Sequence, residues 1–203
     1  MFDVCKITTI SFDADGTLWD FRRTMRQGLR ISLEALRTNV APPAANELTV
    51  EQLIAIRDEV AAEMAPNGLS HEQIRLLSFE RALEHIGRPD PELAQQLTHI
   101  YLEHRFRHIE TYPDVVPALD LLRQHFKIGI VSNGNSYPEV CGLGGYFEFE
   151  IFSFRCGVAK PDWAIFDLAL AEAGCVPNSM VHVGDSLEND VACSQQAGIH
   201  AIW

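Results

Sequence analysis

A chain of 203 residues, 47% of them apolar, can bury one core domain with an inserted subdomain, and no apolar run in it approaches the ~20 residues of a membrane span. The formal net charge of −12 argues against a nucleic-acid partner, since phosphate backbones are gripped by clustered Lys and Arg; a small phosphorylated ligand stays open, because one cation reverses the field inside a cleft. The five cysteines form no C-x-x-C pair, and the N-terminus has neither a basic start nor a long apolar stretch, so reduced thiols in a soluble, cytoplasmic protein are expected.

The first element is a β-branched, apolar strand, Lys6 to Phe12 (KITTISF), which runs straight into Asp13. From about Asp20 to Glu110 the pattern is helix after helix. Thr49 with Gln52 forms a capping box ahead of Leu53, Ile56, Val60 and Met64 at helical spacing. Pro66-Asn67-Gly68 stops that helix, Ser70 with Gln73 starts the next, and Gly87 ends it. Asp90-Pro91 opens a further helix with proline at its first position, and Pro42-Pro43 separates the first two helices of the stretch.

Beyond the helical stretch, helices and strands alternate. A helix over Val115 to His125 precedes the strand Lys127 to Val131, and a strand follows at Phe149 to Phe152. A helix over Trp163 to Ala173, ended by Gly174, precedes the strand Met180 to Val183, and the last strand runs from Ile199 to Trp203. This alternation predicts an α/β fold with a mainly parallel sheet, interrupted after its first strand by a helical insert. Nothing follows the last strand to cover it, so a truncated or unusually short chain is expected there.

The densest chemical signal is Asp13-Ala14-Asp15-Gly16-Thr17. Ligands of open α/β sheets bind beyond the carboxyl ends of strands, which is where Asp13 and Asp15 fall. Two adjacent acids invite a hard cation, and magnesium prefers one or two carboxylates plus phosphate oxygens; the plain alternative is a turn whose acids cap backbone donors. Ser132-Asn133-Gly134 also follows a strand and suits a phosphoryl oxygen, although S-N-G is an ordinary turn as well. Lys160-Pro161 offers a point charge for phosphate or a solvated surface lysine. Asp185, in Gly184-Asp185-Ser186-Leu187-Glu188-Asn189-Asp190, comes off another strand end and would complete a metal site; Asp190 on the following helix would at the least serve its dipole.

Taken in this order, the four segments resemble the haloacid dehalogenase-like hydrolase superfamily, specifically its phosphatases with a helical cap inserted after the first motif. The resemblance runs from Ile7 to Trp203. It implies a three-layer, Rossmann-like parallel-sheet core at 1–19 and 112–203 and an all-helical cap at 20–111. It also implies a Mg²⁺-dependent hydrolase of small phosphorylated metabolites; charge and the lack of a long apolar run argue separately against nucleic-acid and membrane partners. By that resemblance Asp13 attacks phosphorus and forms an aspartyl-phosphate, while Asp15 protonates the leaving oxygen and then deprotonates water. The metal is held by Asp13, the Asp15 carbonyl and Asp185. Asp190 supports the metal site or Lys160, Ser132 and the Asn133 backbone grip the phosphoryl oxygens, and Lys160 offsets their charge.

Relatives that displace halide lack an aspartate at the position of Asp15, and mutase relatives usually resemble D-G-V where this chain has Asp15-Gly16-Thr17. A phosphomutase or 2-haloacid dehalogenase on the same scaffold, and a catalytically idle regulatory or binding protein, are the rival readings. The cap resembles a mobile lid; its region begins with Trp19, Arg22, Arg23 and Arg26, and one of these arginines would read a second anionic group unless they form a solvated basic face. Asn135 and Arg155 are loop candidates of the same kind. His104 and His108 are spaced for a helical metal pair but lack the glutamate of H-E-x-x-H, and Gly142-Leu143-Gly144-Gly145 does not follow a strand as a dinucleotide loop would.

Overall fold

Five short segments pair into one parallel sheet in the computed structural model, which describes residues 4–64 and 68–203. The strands are β1 (Thr9–Phe12), β2 (Lys127–Ser132), β3 (Phe149–Phe152), β4 (Met180–Val183) and β5 (His200–Ile202), in the spatial order β3-β2-β1-β4-β5. The helices are α1 (Phe21–Asn39), α2 (Val50–Met64), α3 (His71–His85), α4 (Pro91–Arg107), α5 (Val115–Leu122), α6 (Ser153–Cys156), α7 (Ala164–Ala173) and α8 (Cys193–Gln196). By its contacts the chain divides into two compact units, Met1–Phe21 with Ile109–Trp203, and Arg22–His108. No helix among the described residues is long and apolar enough to cross a membrane.

In the α/β unit, apolar side chains line both faces of the sheet, as parallel strands require. Ile10, Phe12, Ile128, Ile130 and Val181 pack with Val115 and Leu119 of α5 on one face. Val131, Phe149 and Met180 pack with Ile165, Phe166, Ala169 and Leu170 of α7 on the other. Phe12 lies level with Ile130 on one side and Val183 on the other, so β1, β2 and β4 release their next residues at one end of the sheet. The chain order reverses across β1, which has β2 on one side and β4 on the other; this is the switch point where open α/β sheets form their crevice.

The strand ladder begins at Thr9, three residues later than the apolar run suggests, because Val4–Lys6 turns as a 3₁₀ helix. The helix before β2 stops at Leu122, where His125 N–H donates to the Leu122 carbonyl in a tighter turn. The second unit is α1 to α4. Ser70 and Gln73 make both arms of their capping box, at 3.2 and 2.8 Å, and Thr49 and Gln52 do the same. The Asp90 carboxylate caps Leu93 N–H at 3.0 Å ahead of Pro91, and Gly87 closes α3. Pro66 and Asn67, read above as a helix stop, lie outside the described residues.

Candidate active site

Asp13 continues the ladder of β1, its N–H donating to Val183 O at 2.8 Å, so the side chain is set at the mouth of the switch point with only 7% exposure. Its Oδ1 accepts from Lys160 Nζ at 2.6 Å. Lys160 is 4% exposed, and its remaining ammonium hydrogens go to Asp190 Oδ1 at 2.6 Å and Val131 O at 2.9 Å. All three donors of the ammonium are therefore used. Burial works against that charge, but the Asp13 and Asp190 carboxylates outweigh it and hold Lys160 above its ordinary pKa.

One ammonium does not balance the acids around it. Burial, with repulsion from Asp190 and Asp15, outweighs Lys160 and raises Asp13 to about 6. Asp185 is raised as well, by burial and by the neighbouring acids. Asp190 behaves oppositely. Burial pushes it up, but the His182 hydrogen bond and the Lys160 charge prevail and hold it at about 2. Its Oδ1 accepts from His182 Nε2 at 3.2 Å besides Lys160, and its Oδ2 accepts from Ser186 N–H at 2.9 Å. It lies in a π-helical turn, Leu187–Ala192, a departure from the α-helix that is frequent at functional sites.

Asp15 is held by a residue outside the expected set. Trp19, read above as opening the cap region, is fully buried in the α/β unit, and its indole N–H donates to Asp15 Oδ1 at 2.6 Å. Bridges to Asp15 on one side and Thr111 on the other fix its backbone. Two glycines let the acids approach. Gly16 has φ +94°, and a Cβ there would lie 2.5 Å from Asp185 Oδ2. A Cβ on Gly134 would lie 2.3 Å from Asp15 Oδ2.

Ser132 ends β2 with 1% exposure, and its Oγ accepts from Gly134 N–H at 3.1 Å. The Asn133 side chain has a task that its position in a turn did not reveal. Its Nδ2 donates to Lys160 O at 2.7 Å and its Oδ1 accepts from Lys160 N–H at 2.9 Å, clamping the backbone that carries the lysine. The bond of Trp19 to Asp15 has no local signal, whereas Ser11 and His182, the latter bonded to Asp190, carry a faint one as polar residues inside the apolar strands TISF and MVHV.

Of the arginine candidates, Arg22 and Arg23 are exposed in the helical unit and Arg26 pairs with Glu51 within it. Arg155 sits over the rings of Tyr137, Phe152 and Phe154, 3.7 Å from Glu150, and Asn135 is buried. His104 and His108 stack ring on ring at 4.4 Å.

Among the described residues, the side chains grouped as three or more potential metal ligands are Asp13, Asp185 and Asp190, each offering an oxygen within 4.8 Å of the others. This surplus of acid around one ammonium fits a hard divalent cation. Asp190 is the poorest ligand of the three, because Lys160, His182 and Ser186 N–H already occupy its oxygens.

Known proteins are similar to this chain in sequence and fold. The family model described as haloacid dehalogenase-like hydrolase matches residues 7–198. A glyceraldehyde 3-phosphate phosphatase of Methanopyrus kandleri is 30% identical over 200 residues, covering 95% of this chain and 82% of that protein. A ribulose-1,5-bisphosphate 5-phosphatase of Halopiger xanaduensis is 30% identical, with 96% and 83% covered. Among solved structures, a 2-haloacid dehalogenase from Pseudomonas syringae pv. Tomato superposes with a TM-score of 0.76 at 33% identity, over 97% of this chain and 86% of that one. With its family model spanning nearly the whole sheet and insert, the chain belongs to the haloacid dehalogenase-like hydrolases.

Proposed function

We propose that this protein is a magnesium-dependent phosphatase of small phosphorylated metabolites that works through an aspartyl-phosphate on Asp13. The observation that carries the reading is the Asp13 carboxylate at the switch point, bonded to a buried Lys160 and flanked by Asp15 and Asp185. The similar glyceraldehyde 3-phosphate phosphatase and ribulose-1,5-bisphosphate 5-phosphatase support small phosphorylated metabolites as the substrate class.

In the first step the Asp13 carboxylate attacks phosphorus, and the bond from phosphorus to the leaving oxygen breaks. Asp15, oriented by Trp19, gives that oxygen its proton. In the second step Asp15 takes a proton from water, which attacks the aspartyl-phosphate and releases inorganic phosphate, restoring Asp13. Lys160 offsets the charge shared by Asp13 and the phosphoryl group, and Ser132 and the Asn133 backbone hold the phosphoryl oxygens. Asp13, the Asp15 carbonyl and Asp185 would hold Mg²⁺, which supplies charge neutralisation to the phosphoryl oxygens when bound. The Arg22–His108 unit is the candidate for reading the rest of the substrate.

Dehalogenation is the second reading, favoured by the likeness to the Pseudomonas enzyme. Halide leaves without a proton, however, and that reaction gives the Trp19-held Asp15 no task. A panel of phosphorylated metabolites and 2-haloacids, assayed for phosphate and halide release with and without magnesium, separates the two. Halide release without phosphate release sinks the phosphatase reading.

A further inference from the structure

His182 takes no part in the reaction written above, yet it is 0% exposed in the middle of β4, where a polar ring is costly unless hydrogen-bonded. The sheet register sets it opposite Ser11 of β1, and Ser11 Oγ lies 2.9 Å from its Nδ1. Its Nε2 lies 3.2 Å from Asp190 Oδ1, and the Phe166 ring packs edge-on against it at 4.8 Å.

The proton positions follow from these partners. Both Asp190 oxygens already accept, from Lys160 Nζ and from Ser186 N–H, so the carboxylate offers no proton and Nε2 must carry the hydrogen. Burial keeps the imidazole neutral, with its pKa lowered to about 4, so Nδ1 bears a lone pair and Ser11 O–H donates to it. Donation therefore runs from Ser11 to His182 to Asp190, and Lys160 donates to both Asp190 and Asp13. Asp13 and Asp190 compete for one ammonium. A second donor on Asp190 Oδ1 takes up part of its acceptor strength, which leaves the ammonium shared with Asp13.

We propose that His182 and Ser11 are positioning residues that act through Asp190 to hold the Lys160 ammonium on Asp13. Removing the ring alone would leave the Ser11 hydroxyl and Asp190 Oδ1 each one partner short, so a stability cost accompanies any loss of positioning.

The inference rests on the phosphatase reading, and the test separates the two. The variants His182→Gln and His182→Asn carry the same amide, but only the longer one reaches Asp190. With p-nitrophenyl phosphate and magnesium, His182→Asn should lower kcat by about 10–100-fold, the usual cost of losing such a supporting hydrogen bond. KM should change little, and His182→Gln should recover most of the loss. Asn and Gln variants with equal kcat would overturn the proposal. Imidazole ¹⁵N NMR of the wild-type protein should show His182 as the neutral Nε2–H tautomer, and an Nδ1–H tautomer would overturn it independently of any variant's folding. Lys160→Met provides the remaining arm: if it stays active, the functional reading fails and this inference with it, whereas inactive Lys160→Met beside a fully active His182→Asn removes the inference alone.

Discussion

Asp13 faces two opposed demands. A nucleophile must be ionised, but burial and the neighbouring acids raise its pKa to about 6, and Lys160 is the group that opposes them. Asp13→Asn should abolish phosphate release while circular dichroism shows the fold intact; near-wild-type turnover would remove the nucleophile assignment. Asp15 is tested by leaving group. With an alkyl phosphate, Asp15→Asn should slow the first step by about 10²–10⁴-fold. An acidic phenol leaves without that help, so the first step with its ester should be less affected, while hydrolysis of the aspartyl-phosphate stays slow for want of a base. Stopped-flow measurement should then show a burst of phenol ahead of slow turnover, and equal slowing of both esters with no burst would make Asp15 structural. His182 adds a stability effect whose sign is set by its depressed pKa. Between pH 6.5 and about 4 the unfolded chain binds a proton at this position that the folded chain refuses, so stability falls as pH falls through that window. Relative to pH 7, wild type should lose on the order of 2–3 kcal/mol more than His182→Gln at pH 4.5, read from urea unfolding of both proteins.

At the scale of elements, the site depends on where strands stop and loops turn. β1, β2 and β4 end together, and Asp13, Ser132 and Asp185 lie at or just past those ends. The Asn133 side chain then ties the turn after β2 to the segment before α7, which fixes the lysine's backbone. The helices of the second unit are specified more locally. In α3, Ser70 Oγ accepts from Gln73 N–H and the Gln73 side chain accepts from Ser70 N–H. Ser70→Ala should therefore destabilise the protein by about 1 kcal/mol in denaturant unfolding without changing the hydrolysis of p-nitrophenyl phosphate. A loss of activity with unchanged stability would show that this cap does more than start a helix.

For the whole molecule, a chain of net charge −12 that acts on anions needs local positive charge, and Lys160 alone does not balance Asp13, Asp15, Asp185 and Asp190. Exhaustive chelation should abolish turnover and magnesium should restore it; calcium should inhibit, because its larger, looser coordination disturbs in-line attack. Full activity after chelation would exclude the metal. The α/β order, the helical insert and the capping boxes at Thr49 and Ser70 were legible in the sequence, because hydrophobic period and cap chemistry are carried by neighbouring residues. Asp13, Asp15 and Asp185 stood out for a related reason: Asp13 directly follows an apolar strand, Asp15 lies two residues after Asp13, and Asp185 lies two residues beyond another strand. Tertiary structure alone decided what these groups touch. Lys160, equally readable as a solvated surface lysine, is buried between acids that lie 147 and 30 residues away in the chain. Ser11 meets His182 across 171 residues because the sheet sets β4 beside β1. Burial, tautomer and the choice of partner follow from which strands become neighbours, and no local spacing carries that information.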